Sequence, residues 1–376
     1  MPAKTLTVLA TVGVLQYAAS AAPPEGAAPA ISGYLDAVSP TRLQADVEAL
    51  AAFRTRHSLS DPDPTGTGIG AARQWILERF QAAGGRLQPA FDPHTIPPGR
   101  RVPREVEMVN VLAVLPGTMP EAADRYYYVI GHYDSRASDP MDPDSAAPGA
   151  NDDGSGTVLV LELARVLADA KLDSTVVFMA TAGEEQGLLG ARAHAKAAAE
   201  AGRNILGVLS NDIVGDPTGA NGREDRWAIR VFSEGIELNL VQTPGPDDDE
   251  RALAGRIRAL GQVRGLGAES DSPSRGLARF IAEVGAWHNT SVRPKLIFRP
   301  DRFLRGGDHT AFNEFGFPAV RFTEVHENYD RQHQDVRTED GKPFGDLAEH
   351  VDAEYLADVA RLNLAAIVHL ANAPSP

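Results

Sequence analysis

Apolar positions along the chain follow two spacings. Over 106–115 and 126–130 they run almost unbroken, as in strands buried on both faces, and 175–180 (Thr175, Val176, Val177, Phe178, Met179, Ala180) is a third such run. Over 157–168 they fall at Val158, Leu161, Leu163, Val166 and Leu167, a helical spacing preceded by a Gly/Ser turn. An Ala-rich helix is expected over 188–201 and a strand over 205–209. Helical spacing also marks 41–53, 70–83 and 274–284, and 355–370 reads as a terminal amphipathic helix. Further strands are expected at 227–232, 295–298 and 319–323, the last clear one. The stretch 217–226 is polar and loop-like. Asp247, Asp248, Asp249 and Glu250 open an expected helix, where the dipole favours acid, and read as solvated structure. Alternation of strand and helix predicts an α/β protein with a mixed, largely parallel sheet covered by helices.

Composition narrows the chemistry. The chain has 376 residues, 43% of them hydrophobic, enough for a sizeable core. Its formal net charge is −15 with no long basic run, which argues against a nucleic-acid partner. It has no cysteine, so disulfides, thiolate catalysis and Cys-held zinc are excluded, and any metal must be held by His, Asp and Glu. Residues 1–21 read as a signal peptide: Lys4, an apolar stretch from Leu6 to Leu15, then Ala19-Ser20-Ala21. That stretch is too short for a permanent membrane anchor, so a secreted or periplasmic protein is expected. Residues 22–30 read as an Ala/Pro linker and 31–376 as one catalytic domain. Within it, 31–103 is expected to be a helical N-terminal part and 216–305 to wall a cleft.

The polar groups that stand out mostly follow strands, and in such sheets functional loops gather beyond the strands' carboxyl ends. His132 and Asp134 are two apart in an extended segment, so the carboxylate can orient the imidazole. Gly149-Ala150-Asn151-Asp152-Asp153-Gly154-Ser155-Gly156 places acids and small residues directly before a helix, the pattern of a turn with an N-cap or of a carboxylate bridging two metals. Glu184 and Glu185 are adjacent carboxylates, costly to bury without a counter-charge. A metal would relieve one and leave the other as a general base. Asp212 ends a strand. Among the later histidines, His326 and His333 are both candidate ligands, and His309 in Gly306-Gly307-Asp308-His309 could line the cleft. His57, His94, His194, His288, His350 and His369 sit in no motif and read as surface or core residues.

In this order the motifs are recognisable. From about Val109 onward the chain resembles secreted bacterial aminopeptidases with two co-catalytic zincs (leucyl aminopeptidase and aminopeptidase Y types of the zinc-exopeptidase clan). That family also holds glutamate carboxypeptidase-like and glutaminyl cyclase-like members. The resemblance rests on His132-x-Asp134, Gly149 to Gly156, Gly183-Glu184-Glu185-x-Gly187-Leu188, Asn211-Asp212 and Gly307-Asp308-His309-x-x-Phe312. It implies a three-layer zinc-exopeptidase fold and two Zn2+ with Asp152 between them. His132 and Asp212 belong to the ligand set, as do Glu185 and a late histidine, with Asp134, Asp308 and His309 in support. It also implies a cis Asp152–Asp153 peptide. The chain departs from the family at the late histidine, where a Tyr-His-Thr-like segment is usual. His333 aligns with the ligand, since Tyr329 precedes it and Asp335 follows, and His326 is the competitor.

The activity so implied is release of N-terminal residues from peptide substrates, with Glu184 taking a proton from the attacking water and passing it to the leaving amine. The alternatives are a carboxypeptidase for acidic C-termini, which Arg299, Arg302 and Arg305 could serve, a one-zinc glutaminyl cyclase, and a non-catalytic binding domain. The full ligand set argues against the last two.

Overall fold

The computed structural model describes residues 31–236, 250–303 and 305–372. The signal-peptide and linker segments and Asp247, Asp248 and Asp249 fall outside these residues. Helices α1 (Ser32–Asp36), α2 (Pro40–Ala51) and α3 (Ile69–Ala83) precede strands β1 (Gln88–Ile96), β2 (Val106–Leu115) and β3 (Arg125–His132). Then come α4 (Gly154–Leu167), β4 (Thr175–Thr181), α5 (Leu189–Glu200), β5 (Asn204–Asn211) and β6 (Ala228–Ser233). Next are α6 (Glu250–Leu266), α7 (Pro273–Trp287), β7 (Arg293–Ile297), α8 (Asp308–Asn313) and β8 (Ala319–Glu324). A short hairpin, β9 (Arg337–Glu339) and β10 (Lys342–Phe344), leads to α9 (Ala353–Ala371).

Eight strands form one sheet in the order β1-β2-β4-β3-β5-β8-β6-β7. Its centre, β4-β3-β5-β8, is parallel, while β1, β2 and the β8–β6 pair are antiparallel. The central strands are apolar at successive positions because helices cover both faces. Along β3, Tyr127 and Val129 face the core under α2, α3, α4 and α9, whereas Tyr128 and Ile130 face the core under α5 and α8. In β4, Val176, Phe178 and Ala180 point one way and Val177 and Met179 the other. The result is the expected three-layer α/β architecture. No described helix is long and apolar enough to cross a membrane.

Several expectations need correction. The stretch 31–103 is not wholly helical: it supplies β1, an edge strand whose Pro89 and Pro93 hide its period-2 pattern, as prolines do at sheet edges. The stretch 216–305 supplies the two strands expected there, β6 and β7, which join the sheet itself, while its Arg302 and Arg305 line the cleft. The strand at 319–323 is followed by the β9–β10 hairpin, whose three-residue strands are too short to show periodicity. Helix α9 is buried on nearly every side, because α2, α4 and α7 pack around it. At the sheet's outer edge one carboxylate oxygen, Asp92 Oδ2, lies 2.9 Å from each of His94 Nε2, His194 Nδ1 and Asn110 Nδ2. This joins β1 to β2 and α5.

Candidate active site

Because β3, β4, β5 and β8 are parallel neighbours, their carboxyl ends open on one edge of the sheet. His132 ends β3, Glu184 and Glu185 follow β4, Asp212 follows β5, and His333 lies beyond β8. Asp152 sits in the turn before α4, which rests directly on the strands. A Cβ at Gly131 would come 2.6 Å from the Gly156 carbonyl carbon, and one at Gly156 would come 2.2 Å from the Asn211 carbonyl oxygen. Only glycine at both positions lets Asp152 reach between the ends of β3 and β5.

The five residues form two groups that share Asp152: His132, Asp152 and Asp212, and Asp152, Glu185 and His333. Within each group the candidate ligand atoms lie within 4.8 Å of one another. Each oxygen of Asp152 serves one group. Oδ1 is 3.3 Å from His132 Nε2, and Oδ2 is 2.9 Å from His333 Nε2. His132 Nε2 is 3.9 Å from Asp212 Oδ1, and His333 Nε2 is 2.8 Å from Glu185 Oε1. The donor set of imidazoles and carboxylates suits zinc, and a carboxylate with one oxygen toward each group suits a bridging ligand. The residues therefore fit a pair of divalent ions. His326 belongs to neither group among the described residues and packs against Gly219.

Electrostatics follow from this crowding. Burial opposes charge on His132, but Asp134 and Asp152 outweigh it and raise the imidazole well above its usual range. Burial likewise opposes charge on Asp152, yet His333 and His132 hold its carboxyl well down. The Glu184 carboxyl is pushed well up by burial, with Glu185 and Asp212 adding to the rise. Divalent ions would act on it in the opposite sense. The Glu184 carboxylate faces the cleft and accepts no hydrogen bond from the described residues, which leaves it free to handle a proton.

Four buried groups brace the loops that carry the candidate ligands. Asp134 accepts from the backbone N–H of Glu184 and of Glu185, at 3.2 and 3.1 Å, and its own carbonyl oxygen lies 3.1 Å from His132 Nδ1. Asp153 caps α4 through the Gly156 N–H and also accepts from the N–H of His132 and of Ile213. The peptide joining it to Asp152 is cis. Asp346 accepts from the N–H groups of Asn151 and Asp152. The buried Arg56 guanidinium donates to the carbonyls of Leu50, Tyr133, Pro148 and Gly149, fixing the approach to Asp152.

Asp308 and His309 start α8 and take different positions. Asp308 accepts a hydrogen bond from the Thr181 hydroxyl, and burial pushes its carboxyl up to about 7. His309 turns away from the cleft. Its Nε2 lies 2.7 Å from the Pro300 carbonyl, and burial lowers the imidazole to about 4. Among the described residues a relay links it to a candidate ligand: it lies 3.7 Å from Asp301, Asp301 pairs with Arg321, and Arg321 pairs with Asp212 at 2.9 Å. The sequence reading missed Arg136, which pairs with Glu185 at 2.9 Å, and Gln332, which donates to Asp152 Oδ2 at 2.9 Å. Gln332 adjoins the candidate ligand His333, but no spacing rule singles out Arg136, Arg321, Asp346 or Arg56.

Comparison with known proteins places this geometry. Residues 110–238 match the model for peptidase family M28. A probable zinc metalloprotease of Leptosphaeria maculans is 44% identical over 348 residues, covering 92% of this chain and 77% of that protein. Another probable zinc metalloprotease, from Pyricularia oryzae, is 46% identical over 347 residues, covering 90% of this chain and 66% of its own length. The fold is shared with the LapA aminopeptidase of Legionella pneumophila (TM-score 0.61, 18% identity, 92% and 75% of the two chains). It is shared equally with a glutaminyl cyclase of Fimbriiglobus ruber (TM-score 0.60, 19% identity, 88% and 95%). With the family model covering β2 to β6 and a relative this similar along three quarters of its length, the chain belongs to peptidase family M28.

Proposed function

We propose that the protein is a zinc-dependent exopeptidase, an aminopeptidase that releases N-terminal residues from peptides. The observation that carries this reading is the pair of ligand groups sharing Asp152, with the free Glu184 carboxylate facing the same cleft. His132, Asp152 and Asp212 would hold one zinc, and Asp152, Glu185 and His333 a second. When bound, zinc polarises the scissile carbonyl and acidifies the attacking water. Glu184 accepts that water's proton and delivers it to the leaving amine. Asp134 keeps Glu184 and Glu185 in register through their backbone N–H groups, so base and ligand move as a unit. The zinc in the relatives' names and the aminopeptidase among the fold neighbours support the same reading.

A second reading, carboxypeptidase action, is favoured by the arginines that line the cleft. The test is a mass-spectrometric digest of one peptide with a free N-terminus and of its N-acetylated twin, with and without chelator. Loss of N-terminal residues from the free peptide alone, abolished by chelator, is the expected result. Trimming of both peptides from the C-terminus would overturn the aminopeptidase assignment in favour of the second reading.

A further inference from the structure

The cleft of about 350 Å³ that holds Glu184 is rich in arginine, in a protein whose formal net charge is −15. Six arginines line it, Arg101, Arg136, Arg192, Arg302, Arg305 and Arg321, against the four carboxylates Asp152, Glu184, Glu185 and Asp212. Four of the six are already paired. Arg321 meets Asp212 and Asp301, Arg302 meets Asp301 and Glu327, Arg136 meets Glu185, and Arg192 meets Glu314. Arg101 and Arg305 differ. Arg101 Nη1 donates to the Glu185 backbone carbonyl at 2.6 Å, and Arg305 lies over the Tyr329 ring at 5.6 Å. Neither meets a carboxylate among the described residues.

Two cations with no carboxylate partner among the described residues stand on the wall of a cavity sized for a small ligand. Bound divalent ions would add further positive charge to that cavity. An arginine fork matches a carboxylate in shape and charge, and such charge-assisted pairs are the strong ones. Arg101 also adjoins Glu185 through its carbonyl, so a carboxylate held there sits beside the reacting centre.

We infer that Arg101 and Arg305 form a subsite for a substrate carboxylate, so that the preferred substrates are acidic or short peptides. This rests on the peptidase reading of the cleft. The carboxylate can come from an acidic N-terminal side chain or from the free C-terminus of a short peptide, and matched substrates separate the two. One pair is Glu-Ala-Ala-amide against Gln-Ala-Ala-amide, and the other is Ala-Ala-Ala as free acid against its amide. The expected result is a kcat/KM preference for the acid member of one pair of at least about tenfold, the worth of one charge-assisted hydrogen bond. That preference collapses toward unity in the double variant Arg101→Gln/Arg305→Gln. A salt series adds a second readout, since the preference should shrink as ionic strength rises.

Binding is measured separately by calorimetry with glutarate, a dicarboxylate that no peptidase hydrolyses. The double variant is expected to bind it at least about tenfold more weakly than wild type. Equal glutarate affinity in the two proteins, or hydrolysis of neutral peptides with no acid preference in either pair, would overturn the subsite. Glutarate binding that depends on both arginines, in a protein that hydrolyses none of the four peptides, would uphold the subsite and overturn the peptidase reading instead.

Discussion

Asp153→Asn is the sharpest perturbation of the ligand scaffold, because it alters hydrogen bonding without altering volume. Three N–H donors converge on the Asp153 carboxyl: Gly156 at 3.0 Å and Ile213 at 3.2 Å on Oδ1, and His132 at 3.0 Å on Oδ2. Burial pushes this carboxyl upward, yet only the carboxylate offers acceptors on both oxygens. An asparagine has one oxygen and one NH2. Its better orientation keeps the two bonds to Oδ1 and turns the NH2 toward the His132 N–H, donor against donor. One buried N–H is then unpaired, at a cost of about 1–3 kcal/mol. That N–H belongs to His132, a candidate ligand of the His132–Asp152–Asp212 group, so on the proposed two-metal reading the loss would fall on one metal. Disturbing such an outer partner lowers metal affinity by about 10–100-fold. The assay is zinc content after dialysis against a graded series of chelator, read beside a thermal melt. The expected curve has one zinc released at lower chelator concentration, with the second unchanged and the melting temperature reduced. Release of both ions along the wild-type curve with an unchanged melt would refute the hub role of Asp153.

Two further predictions concern the late histidine and the sheet edge. His333→Ala should reduce zinc by one ion per chain while His326→Ala retains the wild-type count, read by elemental analysis; the reverse counts would move the ligand to His326. Although burial pushes the Asp92 carboxyl up, hydrogen bonds from His194 and His94 hold it well below the usual range. A carboxyl lowered on folding contributes stability above its unfolded value of about 4 and loses it as the pH falls. Asp92→Asn should therefore be less stable than wild type in chemical denaturation at pH 7. The gap should narrow as the pH drops below about 4; a gap that stays constant with pH would remove the Asp92 hydrogen bonds from the account.

How much of this could be read from the chain depended on how local each signal was. Strand β2 was expected over 106–115, and the structure puts it at Val106–Leu115, because an apolar run buried on both faces needs no partner to be recognised. The positions of His132, Glu184, Glu185 and Asp212 were equally legible, since each lies at or just past the end of such a strand. Strand β1 was hidden by Pro89, Asp92, Pro93 and His94, which an edge tolerates and a central strand does not. The all-round burial of α9 depends on three other helices and leaves no trace in local periodicity. The bracing groups were illegible for a related reason. Asp346 bonds to a backbone 194 residues away, and Arg321 owes its role to Asp212 and Asp301 meeting across β8. Such pairings are fixed by the topology of the sheet, not by spacing.

The central claim is that Glu184 handles the proton while the residues around it hold the metal. The most direct test measures zinc content and peptide turnover in one preparation of Glu184→Gln beside wild type. The account predicts wild-type zinc content with turnover lower by about 10²–10⁴-fold, the contribution of a positioned general base. Turnover close to wild type with zinc retained, or turnover lost only in step with zinc, would contradict it.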